Sequence, residues 1–339
     1  MSTEKEKDTF AEALKGIAKT YGKDAIIFGE SMPDIPKQSS GVLSLDFALG
    51  GGFGKGKIVE VAGEASVGKT TISILAAAEA QKDNPDKYVA VVDAEHALDA
   101  NYCKSLGLDM SKVLICQPDY GEQGTQIALD LMETGKISFL FIDSVAALTP
   151  KAIIEGEMED NFMAQHSRLM SKFLAKAVAI ANKTETVVYM ANQYRNKISS
   201  YGNPQITTGG EAPKFYSSQR IELKAKKEEG YKLVTATIIK NKLAAPYKTC
   251  TMRVGFGYGV DKVFDTFEIA VSLGVIQKNG NTWSFNGQKI EIGREKTYEV
   301  FQTNLGLQNS IREEVIKRIK NGTARTTTGT DSDIEGEPF

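Results

Sequence analysis

The residues with the clearest chemistry lie between an apolar, strand-like segment and a helix-like segment, at Gly63-Glu64-Ala65-Ser66-Val67-Gly68-Lys69-Thr70-Thr71. The run fits the pattern G-x-x-x-x-G-K-T, whose glycines let backbone N–H groups converge on phosphates at the positive end of a helix. In such a loop Lys69 reaches the β- and γ-phosphates, and the Thr70 hydroxyl binds Mg²⁺. The alternative is a chance glycine-rich turn with a surface lysine, but the flanking strand and helix favour a phosphate-binding loop.

Three polar residues follow predicted strands further along the chain. Asp143 ends an apolar strand, where a carboxylate positions Mg²⁺, often through water. Glu95 follows another strand and could orient or deprotonate an attacking water; an ordinary glutamate at a helix N-terminus is an equal alternative. Gln193 follows a third strand, where its amide could bond the γ-phosphate or only cap a loop. Because ligands bind where strand ends meet at one edge of an open α/β sheet, the set predicts an ATPase that uses ATP and Mg²⁺.

An alternation of strand-like and helix-like segments must position these residues. Near-continuous apolar runs, typical of parallel strands buried on both faces, occur at 57–62, 88–93, 137–143 and 186–191. Helical segments lie between them, at 124–133 and 165–182. Three consecutive strands follow, at 220–224, 233–239 and 249–254. The pattern predicts an α/β fold with a mostly parallel, doubly wound sheet and an antiparallel extension.

Smaller segments flank this predicted core. Residues 10–21 show helical apolar spacing and precede a predicted short strand at 25–28. The apolar face of such a helix must pack on the chain's own core or on a neighbouring subunit, and we interpret residues 1–36 as a helix and strand segment for polymerisation. A helix around 263–273, strands within 281–292 and a helix around 310–320 predict a small α/β domain, followed by an acidic tail typical of disorder. The expected divisions are therefore 1–36, 37–264 for the ATPase core, 265–324 and 325–339.

Composition narrows the class of protein. The chain of 339 residues is 41% hydrophobic and 25% charged, which is ordinary for a globular protein, and has no apolar run long enough for a membrane span. Its three cysteines are far apart, which argues against a metal site and indicates reduced thiols in the cytoplasm. The formal net charge of −2 excludes nucleic-acid binding through overall basicity, although a local basic groove remains open.

Four further motifs give the sequence a family likeness. They are DAEHALD at 93–99, IDSVAALTP at 142–150, GNP with TTGG at 202–210, and KNKLAAP at 240–246. Together with the phosphate-binding loop, they closely resemble the bacterial RecA recombinase family, and the likeness runs to about residue 320. A phage-encoded member is an open alternative. The resemblance implies a RecA-like core and an ATP-dependent helical filament that assembles head to tail on single-stranded DNA. Such a filament pairs the strand with homologous double-stranded DNA, and mediator proteins are further candidate partners.

The resemblance also implies roles for individual residues. Lys69, Thr70 and Asp143 match the phosphate and Mg²⁺ residues, and Glu95 matches the catalytic carboxylate. Tyr102 and Asp99 fall where the family holds adenine, and Gln193 matches its γ-phosphate sensor. Lys240 and Lys242 match lysines that approach the ATP of the adjacent subunit; without the resemblance they would be solvated lysines at a strand end.

Two loop-like segments are expected to face DNA. Their candidate contact residues are Met163, Arg168, Arg195, Lys197, Ile198, Thr207, Thr208, Gly209 and Gly210. The subunit-interface candidates are Lys214, Phe215 and Arg220, with Phe215 as a core residue of its own subunit the alternative. Glu159 and Phe162 depart from the usual family pattern in the first loop. Two other functions stay open: a ring helicase with the same core, and a nucleotide-switched oligomeric regulator.

Overall fold

The structure is a computed structural model that describes residues 4–22, 25–156, 162–196, 205–255 and 257–325. Its helices are, in chain order, α1 Glu4–Tyr21, α2 Leu43–Leu49, α3 Lys69–Asp83, α4 Ala100–Ser105, α5 Gly121–Glu133, α6 Lys151–Glu155, α7 Phe162–Thr184, α8 Ala212–Tyr216, α9 Lys262–Ser272, α10 Arg294–Thr303 and α11 Leu305–Arg325.

Its strands are, in chain order, β1 Lys37–Gln38, β2 Phe53–Gly54, β3 Ile58–Gly63, β4 Tyr88–Asp93, β5 Val113–Cys116, β6 Ile137–Asp143, β7 Val187–Asn192, β8 Tyr194–Asn196, β9 Gln205–Thr207, β10 Gln219–Lys227, β11 Tyr231–Asn241, β12 Thr249–Gly255, β13 Gly259–Val260, β14 Ile276–Asn279, β15 Thr282–Phe285 and β16 Gln288–Ile292.

A central sheet organises most of the chain. Among the described residues it has nine strands, in the order β13-β12-β11-β10-β3-β7-β6-β4-β5. Neighbours from β10 to β5 run parallel, whereas β10 to β13 pair antiparallel. The predicted fold class is therefore confirmed, and β10 is the strand at which the parallel sheet passes into its antiparallel extension.

Two apolar clusters cover the two faces of this sheet. Val59 of β3 packs in one cluster with Leu75 of α3, whereas Ile58 of β3 packs in the other with Met132 of α5 and Phe173 of α7. Successive residues of a strand point to opposite faces, which explains why neighbours in β3 enter different clusters. Because helices pack on both sides, β3 and β7 are buried along their whole lengths.

Residues 1–36 form a compact unit of their own, in which α1 is followed by a short 3₁₀ turn at Gly29–Ser31. The strand predicted at 25–28 is wrong, because none of the described residues between 25 and 36 lies in a strand. Ile26, Ile27 and Phe28 are 48%, 53% and 67% exposed. A strand needs a neighbouring strand to take its backbone hydrogen bonds, and apolar composition alone does not supply one.

The C-terminal elements α9 to α11 and the sheet β14-β15-β16 share an aromatic core. The ring of Phe267 lies 6.4 Å from that of Trp283 and 5.5 Å from that of Phe301, measured between centroids. The hairpin between β15 and β16 turns at Asn286 and Gly287, both with positive φ, a conformation that an Asn-Gly pair favours. Sequence reasoning missed β14 and α10. None of the helices in the described ranges has the length and apolarity needed to cross a membrane.

Candidate nucleotide and DNA site

The phosphate-binding loop joins the end of β3 to the start of α3. Gly68 has φ 105° where it precedes α3, a conformation that side chains disfavour. At Gly63 a Cβ would lie 2.7 Å from the Leu223 carbonyl oxygen, so only glycine fits between the loop and β10. These two glycines let the loop fold tightly over the helix N-terminus, which leaves backbone N–H groups to bind an anion.

Lys69 is buried beneath this loop, and its ammonium group is held by the loop itself. Its Nζ donates to the carbonyl oxygens of Gly63, at 3.0 Å, and Glu64, at 2.6 Å. Burial lowers the pKa of Lys69, and the nearby carboxylates of Asp143 and Glu95 oppose that shift. The lysine is therefore positioned at the base of the loop, where a phosphate can replace carbonyl contacts.

The residues predicted to bind metal meet at the same place. Thr70 Oγ1 donates to Asp143 Oδ2 at 2.5 Å. Burial raises the pKa of Asp143, while the Thr70 hydrogen bond opposes the rise. Within the described residues no group of three or more His, Cys, Asp or Glu could hold a metal. A hydroxyl and one carboxylate nevertheless fit Mg²⁺, which takes oxygen ligands and fills its shell with water and substrate phosphates.

A cavity of about 340 Å³ opens above the loop. Its lining residues are Ala65, Ser66, Val67, Gly68, Lys69, Thr70, Thr71, Glu95, Tyr102, Asp143, Gln193, Lys232, Val254, Gly255 and Gly257. Most of the predicted nucleotide residues are thus gathered around one space. Sequence reasoning missed Lys232, whose Nζ donates to the Ser66 carbonyl oxygen at 2.7 Å, because the two residues lie far apart in the chain.

Glu95 and Gln193, from different strand ends, converge on each other. Gln193 Nε2 donates to Glu95 Oε1 at 3.2 Å, and the Ser144 hydroxyl donates to the same oxygen. Asp93 fixes the turn that carries Glu95, because its carboxylate accepts from the Ala97 N–H at 3.1 Å. Sequence reasoning did not single out Ser144, although it directly follows Asp143 in the IDSVAALTP motif.

Tyr102 and Asp99 behave differently from each other. Tyr102 lines the cavity, and its hydroxyl lies 2.9 Å from Thr71 Oγ1. Asp99 is not among the lining residues described; its Oδ1 caps α4 by accepting from the N–H groups of Asn101, at 2.7 Å, and Tyr102, at 2.9 Å. In this structure Asp99 therefore orients the helix that presents Tyr102.

The residues expected to face DNA fall into three groups. Met163, 61% exposed, and Arg168, also exposed, lie on α7. Thr207, Thr208 and Gly209 are buried, and Gly210 is half-buried. The structure does not describe the other candidates, Lys197, Ile198 and the side chain of Arg195. The two departures from the family pattern, Glu159 and the side chain of Phe162, also lie outside the described part of the chain.

The second segment expected to face DNA, residues 194–210, is tied to the candidate nucleotide site at both of its ends. Strands β8 and β9 pair antiparallel, with Tyr194 opposite Thr207. The Thr208 N–H donates to the Gln193 carbonyl oxygen at 3.4 Å. The two ends of the segment therefore meet directly beside the residue whose amide contacts Glu95.

Comparison with known proteins agrees with this architecture. Residues 8–261 match the RecA N-terminal domain, and residues 265–320 match the RecA C-terminal domain. A protein named Protein RecA from Cytophaga hutchinsonii is 41% identical over 315 residues, which cover 90% of this chain and 88% of the relative. Protein RecA from Francisella tularensis subsp. tularensis is 40% identical over 347 aligned positions, which cover 99% of this chain and 95% of the relative.

The chain belongs to the RecA family. It is accordingly a DNA recombinase and a DNA-dependent ATPase, which binds a nucleotide with a divalent metal, binds DNA and assembles into filaments that exchange strands.

The residues expected at a RecA subunit interface are placed unequally. Phe215 is 69% exposed and so is not a core residue of its own subunit. Lys214 forms an ion pair with Glu211 at 2.6 Å, whereas Arg220 pairs with the buried Glu60 inside the same chain. The Arg220 side chain is only 14% exposed, and its expected role at a subunit interface stays a prediction.

The two lysines predicted to reach a neighbouring nucleotide lie near the end of β11. Neither Lys240 nor Lys242 is among the described residues that line the nucleotide cavity of their own chain. Lys240 Nζ donates to the carbonyl oxygens of Lys214, at 2.5 Å, and Phe215, at 3.3 Å, whereas the Lys242 side chain is exposed. Burial, followed by the charges of Lys242 and Arg220, lowers the pKa of Lys240.

Proposed function

We propose that this RecA-family chain binds ATP and Mg²⁺ at the seam between two copies, in a head-to-tail filament on single-stranded DNA that it pairs with homologous duplex. One observation carries the proposal: Gln193 contacts Glu95 at the nucleotide cavity and Thr208 at the end of the second DNA segment. A single residue thus bridges the two functions. We assign the activity to the cytoplasm of a bacterium or of a phage-infected host, and the likeness to proteins from bacteria supports this assignment.

On the nucleotide side, the loop residues Gly63 to Thr71 hold the phosphates through backbone N–H groups, and Lys69 supplies the charge for the β- and γ-phosphates. Thr70 and Asp143 would hold Mg²⁺, which would neutralise charge on the phosphates. Tyr102 offers an aromatic face for adenine, and Asp99 orients it. The cavity of about 340 Å³ is large enough for a small-molecule ligand.

Glu95 is the proposed base or orienting group for the attacking water. Its Oε1 accepts bonds from Ser144 and Gln193, which fix the carboxylate. A γ-phosphate in the cavity offers Gln193 a new acceptor, so its amide can exchange Glu95 for the phosphate. That exchange would release Glu95 for catalysis and shift the chain segment that begins at Tyr194.

The assembly side supplies what one copy lacks. Lys240 and Lys242 lie outside the cavity of their own chain, and in a head-to-tail polymer such cations can stabilise transition-state charge on a neighbour's phosphates. The exposed Phe215 and the half-buried Lys214 provide the proposed interface beside them. A contact between two different surfaces that does not close into a ring yields a helical filament.

The DNA side uses sequence-independent contacts. Arg168, Arg195 and Lys197 supply phosphate attraction, and the backbone N–H groups of Gly209 and Gly210, beside Thr207 and Thr208, can join them. Met163 and Ile198 are the proposed apolar wedges between base groups. Such contacts leave pairing edges exposed, as strand exchange between arbitrary sequences requires.

Electron microscopy with single-stranded DNA tests this function. With a non-hydrolysable ATP analogue we expect continuous helical filaments, and with ADP short or collapsed ones. Closed rings would instead indicate the ring helicase, and oligomers that ignore DNA would indicate the nucleotide-switched regulator. The Lys69→Ala variant should form no ATP-dependent filament. Lys82 is an exposed lysine on the same helix, so the Lys82→Ala variant should behave like the unmodified protein.

A further inference from the structure

Glu60 is a charged residue in the middle of a buried strand. The strand β3 leads into the phosphate-binding loop, and all six of its residues are buried. Glu60 itself is 1% exposed, although the cavity-lining residues do not include it. A carboxylate without water is costly unless ionic and hydrogen-bonding partners surround it, so its partners show what it does.

The Glu60 carboxylate divides its two oxygens between two neighbouring strands. Oε1 accepts from Asn192 Nδ2 of β7 at 2.8 Å. Oε2 accepts from the Arg220 guanidinium of β10. The two strands flank β3 on either side in the sheet, so one side chain joins three strands at the edge that carries the nucleotide cavity.

The Asn192 contact leads to the proposed nucleotide sensor and to the DNA segment. Asn192 is fully buried, and its Nδ2 also donates to the Thr208 carbonyl oxygen at 2.9 Å. Its Oδ1 accepts from the Gln193 N–H at 2.8 Å. A displacement of Gln193 would therefore move the side-chain amide of Asn192, which is hydrogen-bonded to Glu60.

The Arg220 contact leads to the proposed interface lysine. Arg220 lies opposite Glu60 in the β3–β10 register and opposite Lys240 in the β10–β11 register. The β10–β11 register shifts between Arg220 and Ile221, which leaves Ile239 unmatched. Such a bulge re-aims the following side chain, and here it turns Lys240 to the Arg220 face of the sheet. Glu60, Arg220 and Lys240 thus form one row across three strands.

Charge balance in this row depends on Glu60. Arg220 and Lys240 are both cations, and the charge of Arg220 helps to lower the pKa of Lys240 while Glu60 opposes that effect. Without the carboxylate, two cations would face each other at a poorly hydrated position. Lys240 would then leave the carbonyl oxygens of Lys214 and Phe215, which hold it beside the interface.

We propose that Glu60 is a positioning residue that couples the nucleotide sensor and the DNA segment on one side of β3 to the interface lysine on the other. Because Gln193, Thr208 and Lys240 have their roles through the proposed function, the role of Glu60 rests on it. Nucleotide-dependent movement at Gln193 passes through Asn192 to Glu60, and from Glu60 through Arg220 to Lys240. The Glu60 carboxylate thus couples the nucleotide bound by one copy to Lys240 of that copy, which approaches the nucleotide of the next copy.

The test uses Glu60→Gln, which keeps shape and an acceptor for Asn192 but removes the charge. The readout is the nucleotide-dependent gain, defined as the ratio of the dissociation constants for fluorescent oligo-dT with ADP and with a non-hydrolysable ATP analogue. We expect this gain to fall about tenfold, within the range of allosteric coupling. Affinity for the ATP analogue without DNA should stay nearly unchanged, because Glu60 does not line the cavity.

The double variant Glu60→Gln/Arg220→Met separates coupling from stability. Removing both partners of a buried pair relieves the unpaired charge, so thermal stability lost in Glu60→Gln should return. The gain should not return, because the link between β3 and Lys240 is absent. This variant decides the question even if Glu60→Gln alone does not fold. Recovery of gain and stability together would show a purely structural role and overturn the proposal.

Two controls complete the experiment. Glu314→Gln removes a surface ion pair with Arg318 on α11 and should leave the gain intact. If the unmodified protein shows a gain and folded Glu60→Gln retains it in full, the coupling role of Glu60 is wrong while the proposed function stands. If the unmodified protein shows no gain, the proposed function fails and the role of Glu60 fails with it.

Discussion

The nucleotide site and the assembly surface are built in opposite ways. At the nucleotide site, Lys69, Thr70 and Asp143 are positioned by hydrogen bonds within one chain. At the proposed assembly and DNA surfaces, the large apolar side chains of Phe215 and Met163 are 69% and 61% exposed. A site held by its own residues can bind its ligand in a single copy, whereas exposed apolar groups acquire their packing from a partner. We therefore propose that nucleotide binding is a property of the single chain and that turnover is a property of the assembly.

The change with the largest expected effect is Lys69→Ala, which removes the buried cation of the nucleotide site. We expect ATP hydrolysis to fall by at least about 100-fold, because the lysine stabilises charge on the transferred phosphoryl group. A coupled assay for released ADP measures it. Lys82→Ala is the matched control, and turnover of Lys69→Ala at the unmodified rate would refute the phosphate assignment.

Glu95→Gln should separate binding from chemistry at the same site. Gln cannot act as a base, so hydrolysis should fall about 100-fold, a typical loss for general-base catalysis. ATP binding should persist because Lys69 and the loop are untouched. Filaments on single-stranded DNA should therefore survive much longer in ATP, as followed by light scattering. Rapid disassembly of this variant would count against a catalytic Glu95.

At the assembly surface, Lys242→Ala should give the reverse pattern. Affinity of dilute protein for a fluorescent ATP analogue should be unchanged, because the lysine does not line its own cavity. Hydrolysis stimulated by DNA should fall about tenfold or more through loss of a transition-state cation across the interface. Lys224→Ala, whose side chain is 73% exposed, is the control. Weaker nucleotide binding by dilute Lys242→Ala would place the lysine in its own chain's site.

The DNA surface should show the smallest effect. Met163→Ala removes one exposed apolar side chain and should slow strand exchange about tenfold or less, since a wedge contributes part of an unstacking cost of a few kcal/mol. Its ATP affinity should match that of the unmodified protein. The rate of strand exchange is measured with fluorescent oligonucleotides, and the affinity for ATP is measured by isothermal titration. An equal loss in both would show that Met163 acts through folding.

The same contrast explains what the sequence could predict. The phosphate-binding loop is contiguous, so its local pattern is sufficient to identify Lys69 and Thr70. The parallel strands β3, β4, β6 and β7 are mostly apolar, which also makes them recognisable. The strand expected at 25–28 was wrong because apolar composition does not reveal whether a partner strand is present.

Contacts made by tertiary structure were out of reach of the sequence. Ser144 reaches Glu95 only because β4 and β6 are neighbours, and Lys232 reaches Ser66 from β11. Arg220 reaches Glu60 because of the register of β10 on β3, while its role at an interface stays a prediction. Strand order and register decide these contacts, and neither follows from local spacing.

ATP turnover per copy as a function of protein concentration, with and without single-stranded DNA, tests the central claim most directly. If hydrolysis belongs to the seam between copies, turnover should rise steeply with concentration and require DNA at low concentration, whereas nucleotide affinity should not change. A constant rate per copy in dilute protein, indifferent to DNA, would contradict the account.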